Sequence, residues 1–426
     1  MGNKQSSKQP KKEDLLLDLE STLKFELQDD GTIKTKIFEY TKSTDETTLT
    51  KYVRVSIFDI EKRGTISRDK KTISLLLKSP SKCTKIESKS IGSILGMVIG
   101  DAMGHRYEFE DLVYDKITLT NMGEGKGGDF KLEPGQWTDD TSMGLCLADS
   151  LLVNKGEFEP RDLMHRFLLW WNCGYNNAFR FQKESQSSCG LGGNISKSFN
   201  TYVYEKGKNP YTKAGDNKTS GNGSVMRNAA VPICFCRDIN KGRDIARKQS
   251  LVTHQGDEAA ACCELLTFIV TKLINGDELK EVLNKLGEEF NCDIESVNIL
   301  AKSEQENDDI DRNWNWKDKN FKYSVKRVEM NPGYIGSYCM DCMAMALHVC
   351  YVTKAFNEAI IKVVNLRGDS DSVGSVVGQI AGAYYGLENI PKEWIKVVQQ
   401  WDHQEIALRG YMLVHLSDEV KSRVNN

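Results

Sequence analysis

Two short acidic runs hold the chemistry of this sequence. Trp137-Thr138-Asp139-Asp140-Thr141 and Gly368-Asp369-Ser370-Asp371-Ser372 each set two carboxylates beside hydroxyl groups. Either run alone reads equally well as helix capping, because Ser, Thr and Asp in a first turn satisfy free N–H groups and complement the helix dipole. Two such runs, each leading into a helix-like stretch, argue for more. Four carboxylates gathered in one place repel one another and need cations to neutralise them. Carboxylate and hydroxyl oxygens are hard ligands, suited to Mg²⁺ or Mn²⁺ and not to zinc. Adjacent aspartates leave one backbone in different directions, so they suit two ions or a bridge better than one chelate. The expectation is a binuclear, oxygen-ligated site.

Such a site needs rigid elements to hold it. Gly92, Gly96, Gly100 and Gly104 recur every fourth residue, as do Gly374, Gly378, Gly382 and Gly386. That spacing puts each set on one helix face, where missing side chains let another backbone approach closely. Glycine in a helix costs about 1 kcal/mol per site relative to alanine, so close packing or a ligand must offset it. Further helical spacing of apolar residues runs through Asp140–Leu152, Arg161–Trp171, Asp257–Leu273, Asp277–Phe290, Cys342–Val352 and Ser372–Tyr385. The region 90–420 therefore reads as one large all-α domain. Within it, the polar stretch Ser303–Lys326, carrying Trp314-Asn315-Trp316, reads as a surface insertion.

The first part of the chain differs. Residues 1–90 hold 3 of the 34 glycines and none of the 7 tryptophans. Leu23, Phe25 and Leu27 alternate with polar residues, Asp30-Gly31 is a hairpin signal, and Ile33–Tyr40 continues as a second strand. Val53, Val55 and Ile57 alternate again, and Thr72–Leu77 is another β-like run. The expected order is a polar basic tail (1–13), a small β-rich module (14–78), a Ser/Lys linker (79–89) and the helical domain. Met1-Gly2-Asn3-Lys4-Gln5-Ser6 fits the M-G-x-x-x-[ST] pattern of N-myristoylation, with Lys4, Lys8, Lys11 and Lys12 as a second, electrostatic signal. The expectation is a cytoplasmic protein held reversibly on a membrane face.

Composition excludes other classes. With 426 residues, 39% hydrophobic and 27% charged, the chain is too apolar for disorder and too polar to live in a bilayer. The net charge of −3 offers no global field for nucleic acid, and no stable nucleic-acid binding is expected. The polar start carries no secretory signal, so the 12 cysteines read as reduced thiols. Cys339 and Cys342 have C-x-x-C spacing without a second pair to complete a zinc site, and Cys234, Cys236, Cys262 and Cys263 read as small buried hydrophobes.

The motifs Gly100-Asp101-Ala102-Met103-Gly104, Gln136–Ser142, Gly221-Asn222-Gly223-Ser224-Val225-Met226-Arg227, Thr253-His254 and Asn365–Ser372 resemble the ADP-ribosylglycohydrolase family, in the right order from about Ser90 to Trp401. The resemblance implies an all-α orthogonal bundle and hydrolysis of the glycosidic bond between ADP-ribose and an acceptor, with two divalent cations, Mg²⁺ first and Mn²⁺ second. It implies Thr138, Asp139 and Asp140 as one ligand set and Asp369, Asp371 and Ser372 as the other. Glu108 matches the catalytic glutamate of some relatives, with Glu110 as the alternative. Gly221, Asn222, Gly223 and Ser224 fit the substrate independently, since glycine N–H groups can approach a diphosphate and a following helix start favours anions. His254 and Tyr334 are further substrate-binding candidates, Tyr334 by stacking on adenine. Met226 and Arg227 are expected to hold the loop, and Asp341 to order the site. The expected partner is an ADP-ribosylated protein, modified on arginine or serine, or a small ADP-ribose conjugate, acted on by a monomer. A catalytically silent binding protein on the same fold and a two-metal phosphoesterase are the alternatives.

Overall fold

The computed structural model describes residues 79–424 apart from 124–126, 180–187, 213–219, 307–311 and 403, together with three short strands upstream. The helices are α1 (Lys85–Gly104), α2 (Asp139–Val153), α3 (Pro160–Cys173), α4 (Gly193–Tyr204) and α5 (Ala230–Cys234). Then come α6 (Ile239–Leu251), α7 (Asp257–Asn275), α8 (Leu279–Glu289), α9 (Glu295–Lys302) and α10 (Val325–Met330). The last five are α11 (Cys339–Val352), α12 (Phe356–Val364), α13 (Ser370–Tyr385), α14 (Lys392–Asp402) and α15 (Glu405–Val424). From residue 79 onward the described chain is helical, as its apolar spacing requires.

The two glycine-striped helices pack against each other. They run antiparallel, with Gly92 opposite Gly382, Gly96 opposite Gly378 and Gly100 opposite Gly374. A Cβ on Gly96 would lie 2.0 Å from the Gly378 carbonyl oxygen, and one on Gly100 equally close to that of Gly374. No side chain fits there, and the contact is backbone on backbone. Hydroxyls tie the two helices together across it. Ser93 Oγ donates to the Gln379 carbonyl at 3.0 Å, Ser375 Oγ to that of Met97 at 3.3 Å, and Ser370 Oγ to that of Gly104 at 2.8 Å. The other helices wrap this pair: α15 lies along α1, while α7, α11 and α12 cover α13.

The start of α1 corrects one boundary. Residues 85–89, expected within a linker, form its first turn. Thr84 Oγ1 accepts from the Glu87 N–H, and the Glu87 carboxylate accepts from the Thr84 N–H. This capping box starts the helix in a stretch whose Ser/Lys composition suggested a spacer.

Upstream, Glu26–Leu27, Ile33–Lys34 and Glu39–Tyr40 (β1–β3) form an antiparallel sheet in that order. Ile33 pairs with Tyr40, so the run expected as one strand contains a reversal. The rest of the expected β-rich module, with the tail and its Gly2 motif, lies outside the described residues. No described helix is long and apolar enough to cross a membrane.

The segment around Trp314 is a second correction. Both tryptophans are buried, and their indole N–H groups donate to Glu306 Oε2 (3.1 Å, from Trp314) and to the Leu300 carbonyl (2.7 Å, from Trp316). Large aromatic area with a satisfied N–H drives this stretch inward despite its polar neighbours. No disulfide joins the cysteines whose side chains are described, and Cys234, Cys236, Cys262, Cys263, Cys339 and Cys342 are buried as expected of small hydrophobes.

The glycine contact gives a direct test. Gly378→Ala would set a Cβ 1.9 Å from the Gly96 carbonyl oxygen, whereas a Cβ on Gly193 meets nothing within 4 Å. Overpacking of this kind costs about 1–3 kcal/mol. In urea melts, Gly378→Ala is expected to lose at least that much, and Gly193→Ala to stay within about 0.5 kcal/mol of wild type, as substitutions free of such contacts do.

Candidate active site

Three helix ends converge where the glycine contact finishes. α1 brings Asp101 near its C-terminus, α2 begins after Thr138, and α13 begins after Asp369. Gly104 lies against the backbone of Asp371, which fixes how closely these ends approach. Asp101 is wholly buried and caps a helix that is not its own. Its carboxylate accepts from the Thr138 N–H (3.0 Å), the Thr138 hydroxyl (2.9 Å) and the Thr141 N–H (2.9 Å). Capping thus accounts for little of the two acidic runs: Asp371 Oδ1 accepts from the Ser372 N–H at 2.9 Å, and the Thr138 and Asp369 side chains make no cap hydrogen bond.

What they form is a dense set of oxygens. One carboxylate oxygen from each of Asp101, Asp140 and Asp371 lies within 4.8 Å of the others. The Thr138 hydroxyl sits among all three, 3.3 Å from Asp140 Oδ2 and 3.4 Å from Asp371 Oδ2, but has only one proton to give. Asp140 Oδ1 is buried without a hydrogen-bond partner among the described residues, and so is Glu108 Oε2. Asp369 Oδ2 accepts from Asn222 Nδ2 at 3.0 Å.

These groups hold their protons far more tightly than exposed carboxyls. Burial, offset in part by hydrogen bonds from Thr141 and Thr138, pushes Asp101 up to about 6. Burial and the Asp371 charge push Asp140 well above its ordinary range. Asp371 rises through burial and Glu108, Glu108 through burial and Asp369, and Asp139 through burial and Asp101.

Of this cluster Asp140 opens onto a cavity of about 1050 Å³, while Asp101, Thr138 and Asp371 lie behind its lining. Asp139, Asp140, Asp369, Ser372 and Glu108 line it, along with Gly221, Asn222, Gly223, His254 and Tyr334. Ser224 does not line it. Its hydroxyl accepts from Ser250 Oγ at 2.7 Å, because the loop makes a single 3-10 turn over Asn222–Ser224 that turns this side chain inward. The helix start expected after the loop is only that turn. Asn222 is likewise committed, donating to Asp369 and to the Gly336 carbonyl, so the loop offers backbone more than side chains. His254 packs against Gly223, its Nδ1 2.9 Å from Thr253 Oγ1, and burial with the Arg227 charge lowers it to about 3. It is a neutral ring at pH 7.

Glu108 is separated cleanly from its alternative. Glu110 is exposed and paired with Arg367 at 2.6 Å, outside the cavity. Phe109 between them has φ 66°, left-handed for a bulky residue, and its N–H donates to the Gly368 carbonyl at 3.0 Å. That strained turn aims Glu108 inward and Glu110 outward. Tyr334 is 58% exposed at the rim, with its ring 4.9 Å from that of Phe109. Arg227 holds the loop from beneath, donating to the Gln249 side chain and backbone at 2.9 Å. Asp341 orders the wall by pairing with Arg327 at 2.7 Å.

Comparison with known proteins follows the same lines. The family model for ADP-ribosylglycohydrolase matches residues 82–422, four-fifths of the chain. The chain belongs to the ADP-ribosylglycohydrolase family. It is similar to the ADP-ribosylarginine hydrolase Tri1 of Serratia proteamaculans, at 31% identity over 75% of this chain and 78% of that one. It is also similar to the ADP-ribosyl-dinitrogen reductase glycohydrolase of Rhodospirillum rubrum, at 26% identity over 78% and 97%. A solved structure titled ADP-ribosylglycohydrolase-related protein complex superposes with a TM-score of 0.60 at 27% identity, covering 78% of this chain and 99% of that one. This chain is thus an enzyme, a hydrolase acting on glycosyl bonds.

Within this ADP-ribosylglycohydrolase cleft, the donor set fits a hard divalent cation: several buried carboxylates, a partnerless Asp140 oxygen, and no lysine or arginine among the described lining residues. Sequence reasoning missed Asp101 as a member of the cluster, although Gly100-Asp101 lies on the glycine-striped helix that had to adjoin it. It also missed Gly190, where a Cβ would lie 2.1 Å from Asp139 Oδ1. The apolar wall of Phe130, Leu132, Trp171 and Phe179 carried no local signal.

The raised carboxyls set a pH test. Their folded-state pKa values exceed the unfolded ones, so the metal-free fold is favoured below the unfolded values and loses stability as pH rises through the folded ones. For Asp101 that window runs from its ordinary 3.8 to about 6. Mg²⁺ is expected to raise Tm by more at pH 8 than at pH 5.5. Asp140→Asn is expected to raise the metal-free Tm at pH 8 and to lose most of the Mg²⁺ response. Equal Mg²⁺ shifts at both pH values would count against this charge balance.

Proposed function

We propose that the enzyme releases ADP-ribose from a modified protein side chain, with two divalent cations, Mg²⁺ first and Mn²⁺ second, held by the acidic cluster. The carrying observation is the oxygen set of Asp101, Asp140 and Asp371 beside a cavity that also takes in Glu108 and the Gly221–Gly223 backbone. Asp139, Asp140, Asp369 and Asp371 would hold the ions, with Thr138 and Ser372 as neutral oxygen donors and Asp101 fixing Thr138. Bound divalent cations supply Lewis-acid stabilisation of oxygen groups in such a site.

The chain's own groups account for the rest. Breaking the bond at the anomeric carbon builds positive charge on the ribose and negative charge on the departing atom. Glu108, whose pKa burial and the Asp369 charge push well above its ordinary value, gives its proton to the departing acceptor atom. The resulting carboxylate then takes a proton from the water that attacks the sugar. The Gly221–Gly223 backbone and the neutral His254 ring receive the diphosphate without a competing cation. Tyr334 and Phe109, in tilted ring contact at the rim, offer a face to the adenine.

Arginine is the acceptor we place first, because the Serratia relative is named as an ADP-ribosylarginine hydrolase; serine comes second. Peptides ADP-ribosylated on arginine or on serine, incubated with enzyme and Mg²⁺, give the test. Free ADP-ribose is the expected product, and a chelator should stop its release. AMP or phosphate would point to a phosphoesterase instead, and no product to a binding protein.

Variants assign the roles. Asp140→Asn and Asp371→Asn are expected to abolish turnover while the helical circular dichroism persists. Glu108→Gln is expected to lower kcat by about 10²–10⁴-fold with little change in KM, the usual range for general acid–base catalysis. Glu110→Gln should leave kcat near wild type, since its carboxylate pairs with Arg367 outside the cleft. A collapse in the Glu110 variant alone would move the acid role two residues along.

A further inference from the structure

A second cavity, of about 580 Å³, shares no lining residue with the catalytic cleft. Its size falls within the range of about 300–1,000 Å³ typical of small-molecule sites. The loop 113–117, the segment 319–322, α11 and the end of α12 form its walls.

Its rim is basic. Lys116, Lys319, Lys322 and Lys362 face one carboxylate among the lining residues, Asp115. None of the four lysines forms an ion pair among the described residues. The Lys322 ammonium stands 4.6 Å from the centre of the Tyr114 ring, a cation–π contact that leaves N–H donors for an anion.

Its floor is aromatic and carries one fixed acceptor. Phe321, buried, lies with its ring 5.5 Å from that of His348. His348 is 5% exposed, and its Nδ1 donates to the Trp316 carbonyl at 2.9 Å. That bond sets the tautomer, so Nε2 is a lone-pair acceptor with no hydrogen-bond partner among the described residues. Burial holds this imidazole below its ordinary pKa, which keeps the acceptor neutral at pH 7.

We infer that this cavity is a second, non-catalytic binding site for a nucleoside phosphate whose base carries an amino group. The phosphates meet the lysines, the base lies against Phe321 and Tyr114, and the amino group donates to His348 Nε2. A bare inorganic anion would use the lysines and leave the ring face and the acceptor idle, so the floor distinguishes the two. The location also matters. The Val113 N–H donates to the Leu366 carbonyl at 3.1 Å, in the same pairing that continues from Phe109 to Gly368. The loop lining this cavity is thus the continuation of the loop that carries Glu108.

Equilibrium dialysis of the full-length protein with ADP, and with pyrophosphate as the companion probe, tests this. Two equivalents of ADP are expected in wild type, one in the cleft and one here. The exposed double variant Lys319→Glu/Lys322→Glu should bind one, while its release of ADP-ribose from a modified arginine peptide stays within twofold of wild type. His348→Ala should weaken ADP at this site about tenfold and leave pyrophosphate unchanged. If the double variant binds as much ADP as wild type, or pyrophosphate binds here as tightly as ADP, the inference is overturned. A single wild-type equivalent that vanishes in the double variant supports this site and counts against an ADP-ribose cleft, so the two readings fail separately.

Discussion

The backbone-on-backbone contact of α1 with α13 is the constraint on which the rest of the architecture depends. Three opposed glycine pairs let the helices approach as no side chain would allow, and the serine hydroxyls that bridge them fix their register. The stripe ends at Gly104, against Asp371. The C-terminal turn of one helix and the N-terminal turn of the other are therefore pressed together, and Asp101 and Asp371 with them. A looser packing would let these carboxylates drift apart, which their charges favour. The glycine contact is what prevents it.

The opposing force is electrostatic. Buried carboxylates without a neighbouring cation either keep their protons or raise the energy of the fold. Asp101 manages its own burial by capping α2, accepting two N–H groups and a hydroxyl. Asp140 has no such relief for Oδ1, and Glu108 none for Oε2. The fold thus leaves two unsatisfied carboxylate oxygens at the catalytic cleft, while the surrounding helices are packed with apolar residues. Stability given up in one place and gained in another is the usual signature of a site shaped by its chemistry.

Much of this was legible in the residues. Every helix expected from apolar spacing is present, with ends shifted by a few positions, because periodicity survives in any context where one face is buried. The two glycine stripes announced a close approach, and their partner turned out to be each other. What was hidden depended on long-range geometry. Asp101 could not be read as the cap of a helix 37 residues away. Ser224 turned inward because of a single 3-10 turn, and Trp314 and Trp316 went into the core from a stretch that looked like surface. The choice between Glu108 and Glu110 rested on one left-handed residue, Phe109, whose conformation no local propensity favours. Residues 85–89 looked like a spacer until the Thr84–Glu87 capping box was seen to start a helix there.

The central claim is that this contact gathers carboxylates into a seat for divalent cations. The most direct measurement is anomalous scattering from crystals of the full-length enzyme grown with Mn²⁺. The account predicts two strong peaks within ligand distance of Asp139, Asp140, Asp369 and Asp371, both lost in Asp140→Asn. A well-ordered cleft with no anomalous peak at saturating Mn²⁺ and pH 8 would contradict it.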